Sequence, residues 1–177
     1  LALSAIDPSA TQALKDRDTE IRAATPAKGQ AASEAARRKF EAVVARIFDT
    51  RRMLEDSLGA RWTAMSPKDQ KRLFEAFDRR FQASTGSQID TWRDARIEYL
   101  DEKPRGEAVA VSTRVTSKDE VAEVEYVMRA TPGGWRIVDV IIDGVSTVEN
   151  YRGSFARILN KDGVDGLVRR LEKGGDA

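Results

Sequence analysis

The segment WRIVDVII, residues 135–142, limits the fold of this chain more than any other stretch. Its residue types favour a β-strand, in which successive side chains point to opposite faces. Val138, Val140 and Ile142 then share one face, and Trp135, Ile137 and Ile141 the other. Antiparallel sheets commonly pair an apolar face with a wetted one, and this strand has no wetted face. Two arrangements satisfy it. Either it is a central strand with helices on both sides, or the sheet curls around an apolar interior.

The residues before it read as partners in one sheet. After Ser87 the apolar period changes from 3.6 to 2. ARIEYL (95–100) is a strand, and EAVAVSTRVTS (107–117) gathers Val109, Val111, Thr113 and Val115 on one face. VAEVEYVMRA (121–130) turns Ala122, Val124, Tyr126 and Met128 inward, leaving Glu123, Glu125 and Arg129 outside. TPGG (131–134) supplies a hairpin turn into the last strand.

The rest is helical. Asp7 is a candidate cap, with Pro8 at the first helical position, for a helix with a thin stripe of Leu14 and Ile21 padded by Ala10 and Ala24. Residues 1–30 thus form a helical N-terminal extension. A helix over 32–48 carries Phe40, Val43, Val44 and Ile47 at core spacing. Asp49 caps a shorter one holding Met53, Leu54 and Leu58, ended by Gly59. Ser66, Pro67 and Asp69 open a helix whose stripe is Leu73, Phe74, Phe77 and Phe81. That stripe reads as a core-facing face or as the wall of a ligand cavity, and the two are compatible. Helix resumes near Asn150 with Phe155, Ile158 and Leu159, and NKDG (160–163) sets off a last segment through Val164, Leu167, Val168 and Leu171. Segregated helices and a meander predict one α+β domain over residues 1–177, with helices packed on a curved four-stranded antiparallel sheet.

Composition removes most chemistries. The 177 residues include neither Cys nor His, so thiolate or imidazole zinc sites, Cys nucleophiles and His general bases are absent. No metal or cofactor is expected. Lys plus Arg number 30 against 29 Asp plus Glu, which is no electrostatic footprint for nucleic acid. No apolar run reaches the ~18 residues of a membrane span. The chain opens LALSAIDPSA without Met, as a processed export signal or a trimmed chain would both leave it, and the missing thiols suit an oxidising compartment. The surviving catalytic options are carboxylates, Lys, Tyr and Ser. Asp139 could act as an isomerase base, sharing a sheet face with Asp143. A mid-strand Asp fixed by backbone donors or an Arg is the structural alternative.

FDTRRMLEDSLGARW (48–62), SPKDQKRLFEAF (66–77), GGWRIVDVIIDGVSTVENYRGSFARIL (133–159) and GVDGLVRRLEK (163–173) occur in the order seen in MlaC-type proteins. The chain resembles this family over roughly residues 48–173. Its most specific part is the run from Trp135 through Asp139, Gly144, Val145, Asn150, Tyr151 and Arg152 to Phe155. Also called the toluene-tolerance auxiliary family, these are periplasmic phospholipid-binding components of an ABC transport system that maintains outer-membrane lipid asymmetry. Some members are associated with hopanoids. The resemblance implies a fold related to the nuclear-transport-factor-2 type, with an apolar cavity between helices and sheet that takes acyl chains. It implies a non-enzymatic shuttle, monomeric and periplasmic with its signal peptide removed. Its partners would be an inner-membrane ABC transporter with an MCE-domain subunit and an outer-membrane lipoprotein complex.

Candidate lipid-binding residues are therefore the inward positions Val109, Val111, Val124, Tyr126, Met128, Val138, Val140, Ile142 and Val145. Phe74, Phe77, Phe81 and Phe155 would face them. Tyr151 and Arg152 are placed at the cavity mouth, where Arg can meet a phosphate and Tyr a wet–dry boundary. The alternative for Arg152 is a pair with Asp139 or Asp143.

Overall fold

The computed structural model describes residues 8–27, 30–118 and 120–174, and it begins with helices whose ends are set by local chemistry. Helix α1 (Ala10–Ala24) is capped by Ser9, whose hydroxyl accepts from the Gln12 amide. Pro8 lies just outside it, and the expected cap Asp7 falls outside the described residues. Ser33 caps α2 (Glu34–Ile47), and Asp49 caps α3 (Thr50–Leu58). Gly59, at φ 54°, ends α3 and turns directly into the short α4 (Ala60–Ala64). Ser66 opens α5 (Pro67–Gly86) by accepting from the Asp69 amide and donating to its carboxylate at 2.8 Å. A short α6 (Ile89–Asp94) follows, in a charged stretch that carries no clear periodicity.

Five strands then form one open antiparallel sheet in chain order: β1 (Arg96–Arg105), β2 (Ala108–Ser117), β3 (Glu120–Thr131), β4 (Gly134–Ile142) and β5 (Val145–Ser146). The fifth, two residues long, is additional to the expected four. Asp143 and Gly144, at φ 48° and 82°, make the two-residue turn that lets the chain reverse onto β4. Asp143 is thereby removed from the strand, and its carboxylate accepts from the Glu123 amide at 2.9 Å. The last helix, α7 (Thr147–Lys173), starts three residues before Asn150 because Ser146 caps it, accepting from the Glu149 amide. Gly163 leaves helical geometry at φ 65°, which is the expected interruption at NKDG.

The doubly apolar strand is explained by a bulge. In β4, Asp139 pairs with Val127 and Ile137 with Met128, so Val138 is an extra residue. A bulge inverts the alternation of everything beyond it. Trp135, Ile137 and Val140 consequently all face the helices, whereas Val138 joins Ala108, Val127 and Ile141 on the other side. This corrects the expected grouping of Val138 with Val140. The outer apolar patch is flanked by the ion pairs Arg105–Glu125 and Arg129–Glu107.

The interior divides in two. One core lies between the sheet and α1, α2 and the start of α3, and includes Leu14, Phe40, Val44, Met53, Val111, Tyr126 and Met128. The other is helical, formed by α3, α4, α5 and α7 around Leu54, Leu73, Phe77, Phe155 and Leu167. Phe81 packs against both, 5.0 Å from the Phe48 ring and 6.1 Å from that of Phe77.

Candidate functional site

Between the sheet and its helical cover runs an apolar seam. Leu14, Asp18 and Ile21 of α1 form its roof, with Val44, Ile47 and Phe48 along one wall. Trp92, Ile97, Tyr99, Tyr126 and Ile137 complete it. Its volume is only ≈ 20 Å³, room for about one water. Nothing the size of a hydrocarbon chain fits without separating the elements.

The element with thin apolar anchorage over the seam is α1. It buries only Ala10, Leu14 and Ile21, and much of its hold is polar. The Thr11 amide donates to Glu102 at 2.8 Å, and Trp135 Nε1 donates to the Pro8 carbonyl at 2.8 Å. Arg22 donates to the Ala95 carbonyl at 2.8 Å, and Arg46 reaches Glu20 at 2.7 Å. Hydrogen bonds of this kind are worth about 0.5–1.5 kcal/mol each and exchange readily with water.

One end of the seam is polar, a feature the sequence reading did not single out. Asp18 holds Arg22 through one oxygen at 2.9 Å. Its other oxygen, Oδ1, and the Tyr99 hydroxyl are both buried with no hydrogen-bond partner among the described residues. Burial, and then the Asp18 charge, push the Tyr99 phenol up to about 12 against the opposing effect of Arg22. Tyr126 is raised further, by burial first and then by Tyr99 and Asp18. Both phenols are therefore protonated donors over the physiological range. The signal in the sequence was a carboxylate on an apolar stripe, since Leu14, Asp18 and Ile21 stand at i, i+4 and i+7.

Of the predicted site residues Val138 lies on the outer face of the sheet, and the others fall into three groups. Val109, Val111, Val124, Tyr126 and Met128 are buried on the helix-facing side of the sheet, with Val140 beside them. Phe74, Phe77, Tyr151 and Phe155 belong to the helical core, so of the α5 aromatics only Phe81 approaches the sheet. Tyr151 stacks on Phe155 at 5.2 Å and meets Phe77 edge-on at 5.4 Å. Ile142 and Val145 are 48% and 53% exposed at the sheet margin. Arg152 is exposed, paired with Glu149 at 2.9 Å and donating to the Asp56 carbonyl at 2.8 Å, not to Asp139 or Asp143.

Asp139 proves to be a brace. Its oxygens accept from the Ser146 hydroxyl at 2.6 Å and the Val148 amide at 3.1 Å, fixing the first turn of α7 onto β4. The bulge also places it opposite Val127, on the far side of the sheet from the seam. Removing this cap with Asp139→Ala is expected to cost about 2 kcal/mol. Thermal unfolding checks it, and a melting temperature equal to wild type would show the brace to be dispensable. Among the described residues no cluster of acidic side chains could hold a metal ion, and no helix is long and apolar enough to cross a membrane. A larger open groove of ≈ 510 Å³, lined by Gln30, Thr91, Ser117, Lys118 and Glu120 among others, has no apolar floor.

Comparisons with known proteins bear on this arrangement. A family model described as "MlaC protein" matches residues 13–173, which takes in α1 from its fourth residue and so extends well before the motifs at 48–173. The intermembrane phospholipid transport system binding protein MlaC of Haemophilus influenzae is 22% identical over 122 residues, covering 66% of this chain and 57% of that protein. The chain therefore aligns with little more than half of that relative's length. The fold is similar to that of a phospholipid-binding protein from Ralstonia solanacearum solved in complex with a phospholipid. That similarity has a TM-score of 0.73 at 20% identity and covers 93% of both chains.

Proposed function

The chain belongs to the MlaC family, and from that membership we propose that it is a carrier for phospholipid in the periplasm. Acyl chains would lie between α1 and the sheet, against Val109, Val111, Val124, Tyr126, Met128 and Val140. The observation that carries this is the seam itself, an almost wholly apolar parting roofed by a helix with a thin apolar stripe and polar ties.

The energetics suit a carrier. A diacyl lipid has on the order of 30 methylenes, each worth about 0.8 kcal/mol on leaving water. Crossing an aqueous space unshielded therefore costs on the order of 20 kcal/mol or more. A protein lowers this by exchanging one apolar environment for another, with no reactive group required. A seam of ≈ 20 Å³ keeps its walls out of water. Delivery would run between an inner-membrane ABC transporter with an MCE-domain subunit and an outer-membrane lipoprotein complex, the chain acting as a monomer. The near-balanced charge suits brief contacts with both.

Organic extraction of the purified protein is expected to release phospholipid in stoichiometric amount. Native mass spectra should show the matching mass increment. Protein that never yields lipid, even after incubation with phospholipid vesicles, would overturn the reading.

A further inference from the structure

The polar end of the seam is out of keeping with a site for hydrocarbon alone. Asp18 Oδ1 can only accept, and the protonated Tyr99 hydroxyl has a proton to give, yet both are buried without a protein partner among the described residues. Leaving such atoms unpaired is costly, and the cost falls on the folded chain. Neither atom is misplaced by looseness. Asp18 is anchored by Arg22, which is itself fixed to the Ala95 carbonyl at the start of β1. Tyr99 is held in β1 opposite Thr113, with Lys15 Nζ over its ring at 5.2 Å. Both residues line the seam with Tyr126 between hydrophobic walls.

Among the groups a glycerophospholipid carries, a hydroxyl can satisfy both atoms at once, as a water can. A hydroxyl donates one proton and accepts through its lone pairs, so it can give to Asp18 and receive from Tyr99. An ester or ether oxygen satisfies only Tyr99, and a quaternary ammonium offers no proton to either. We propose that Asp18 and Tyr99 form a selectivity site for a hydroxyl carried by the bound lipid. This rests on the carrier reading and adds to it the class of cargo. The hydroxyl can belong to a polyol headgroup or to a hydroxylated chain, and the pair recognises the same chemistry in either.

Such a site has an unusual stability signature. Tyr99→Phe deletes an unpaired buried hydroxyl, so the empty protein should melt no lower than wild type, whereas loss of a hydroxyl with an internal structural role would lower it. The same change should remove selection. Full-length protein would be incubated with mixed vesicles of phosphatidylglycerol and phosphatidylcholine. A second set would replace the phosphatidylglycerol with phosphatidylcholine bearing a hydroxylated acyl chain. The captured lipid is then extracted and counted. Wild type is expected to favour a hydroxyl-bearing species over plain phosphatidylcholine by about tenfold. Tyr99→Phe should fall to near parity, and Asp18→Asn should lose most of the preference. Preference confined to phosphatidylglycerol assigns the hydroxyl to the headgroup, and preference confined to the modified chain assigns it to the tail. Wild type that takes lipid without discrimination, or Tyr99→Phe that discriminates as wild type does, overturns this proposal and leaves the carrier standing. Wild type that takes no lipid from either mixture overturns both.

Discussion

Phe155→Ala is expected to cost about 3–5 kcal/mol. The ring is fully buried where α7 crosses α5, stacked on Tyr151 at 5.2 Å and edge-on to Phe77 at 6.1 Å. Truncation removes the transfer energy of the side chain, leaves a cavity and dissolves two aromatic contacts worth about 0.5–1.5 kcal/mol each. For a domain of this size the melting temperature should fall by about 6 °C or more. Lipid recovered per folded molecule should stay at the wild-type level, because Phe155 sits in the helical core and not along the seam. Calorimetry paired with lipid extraction reads both quantities. A variant that remains fully folded but loses its lipid would show that the helical core contributes directly to binding.

Val44→Trp should do the reverse. Val44 lies on the α2 wall of the seam, buried, across from α1 and the sheet. The added indole has nowhere to go in ≈ 20 Å³, and overpacking of this kind costs about 1–3 kcal/mol. The protein should stay folded at room temperature while the acyl-chain path is blocked. Co-purifying phospholipid is then expected to drop at least tenfold, which corresponds to about 1.4 kcal/mol or more of lost affinity. Wild-type lipid content in folded Val44→Trp would place the hydrocarbon somewhere other than this seam.

How much of this was legible beforehand depended on range along the chain. Caps are local, and Asp49, Gly59 and the Ser66–Pro67–Asp69 group could be read directly because each acts within one helical turn. The alternation of β2 and β3 was equally clear, since both strands run without interruption along their pairing. β4 was not, because a bulge adds one residue and reverses every side chain beyond it, and the letters around Val138 carry no Gly or Pro to announce it. The same limit explains the aromatics. A stripe of Phe at helical spacing states that a face is buried but not against what, and Phe77 serves one core while Phe81, four residues on, touches both. The Asp18–Tyr99 pair is the extreme case, joining residues that share nothing until α1 lies across β1.

The division of the interior between two cores joined at Phe81 has a mechanical outcome. The helical core is packed without α1, which belongs to the other core and is anchored by only three buried side chains. In the carrier proposed above, loading and unloading would draw on the free energy that holds α1, a few kcal/mol set by its polar ties and thin stripe, with global stability almost untouched. Affinity for cargo and resistance to unfolding become separately adjustable. The carrier proposed above would need that independence.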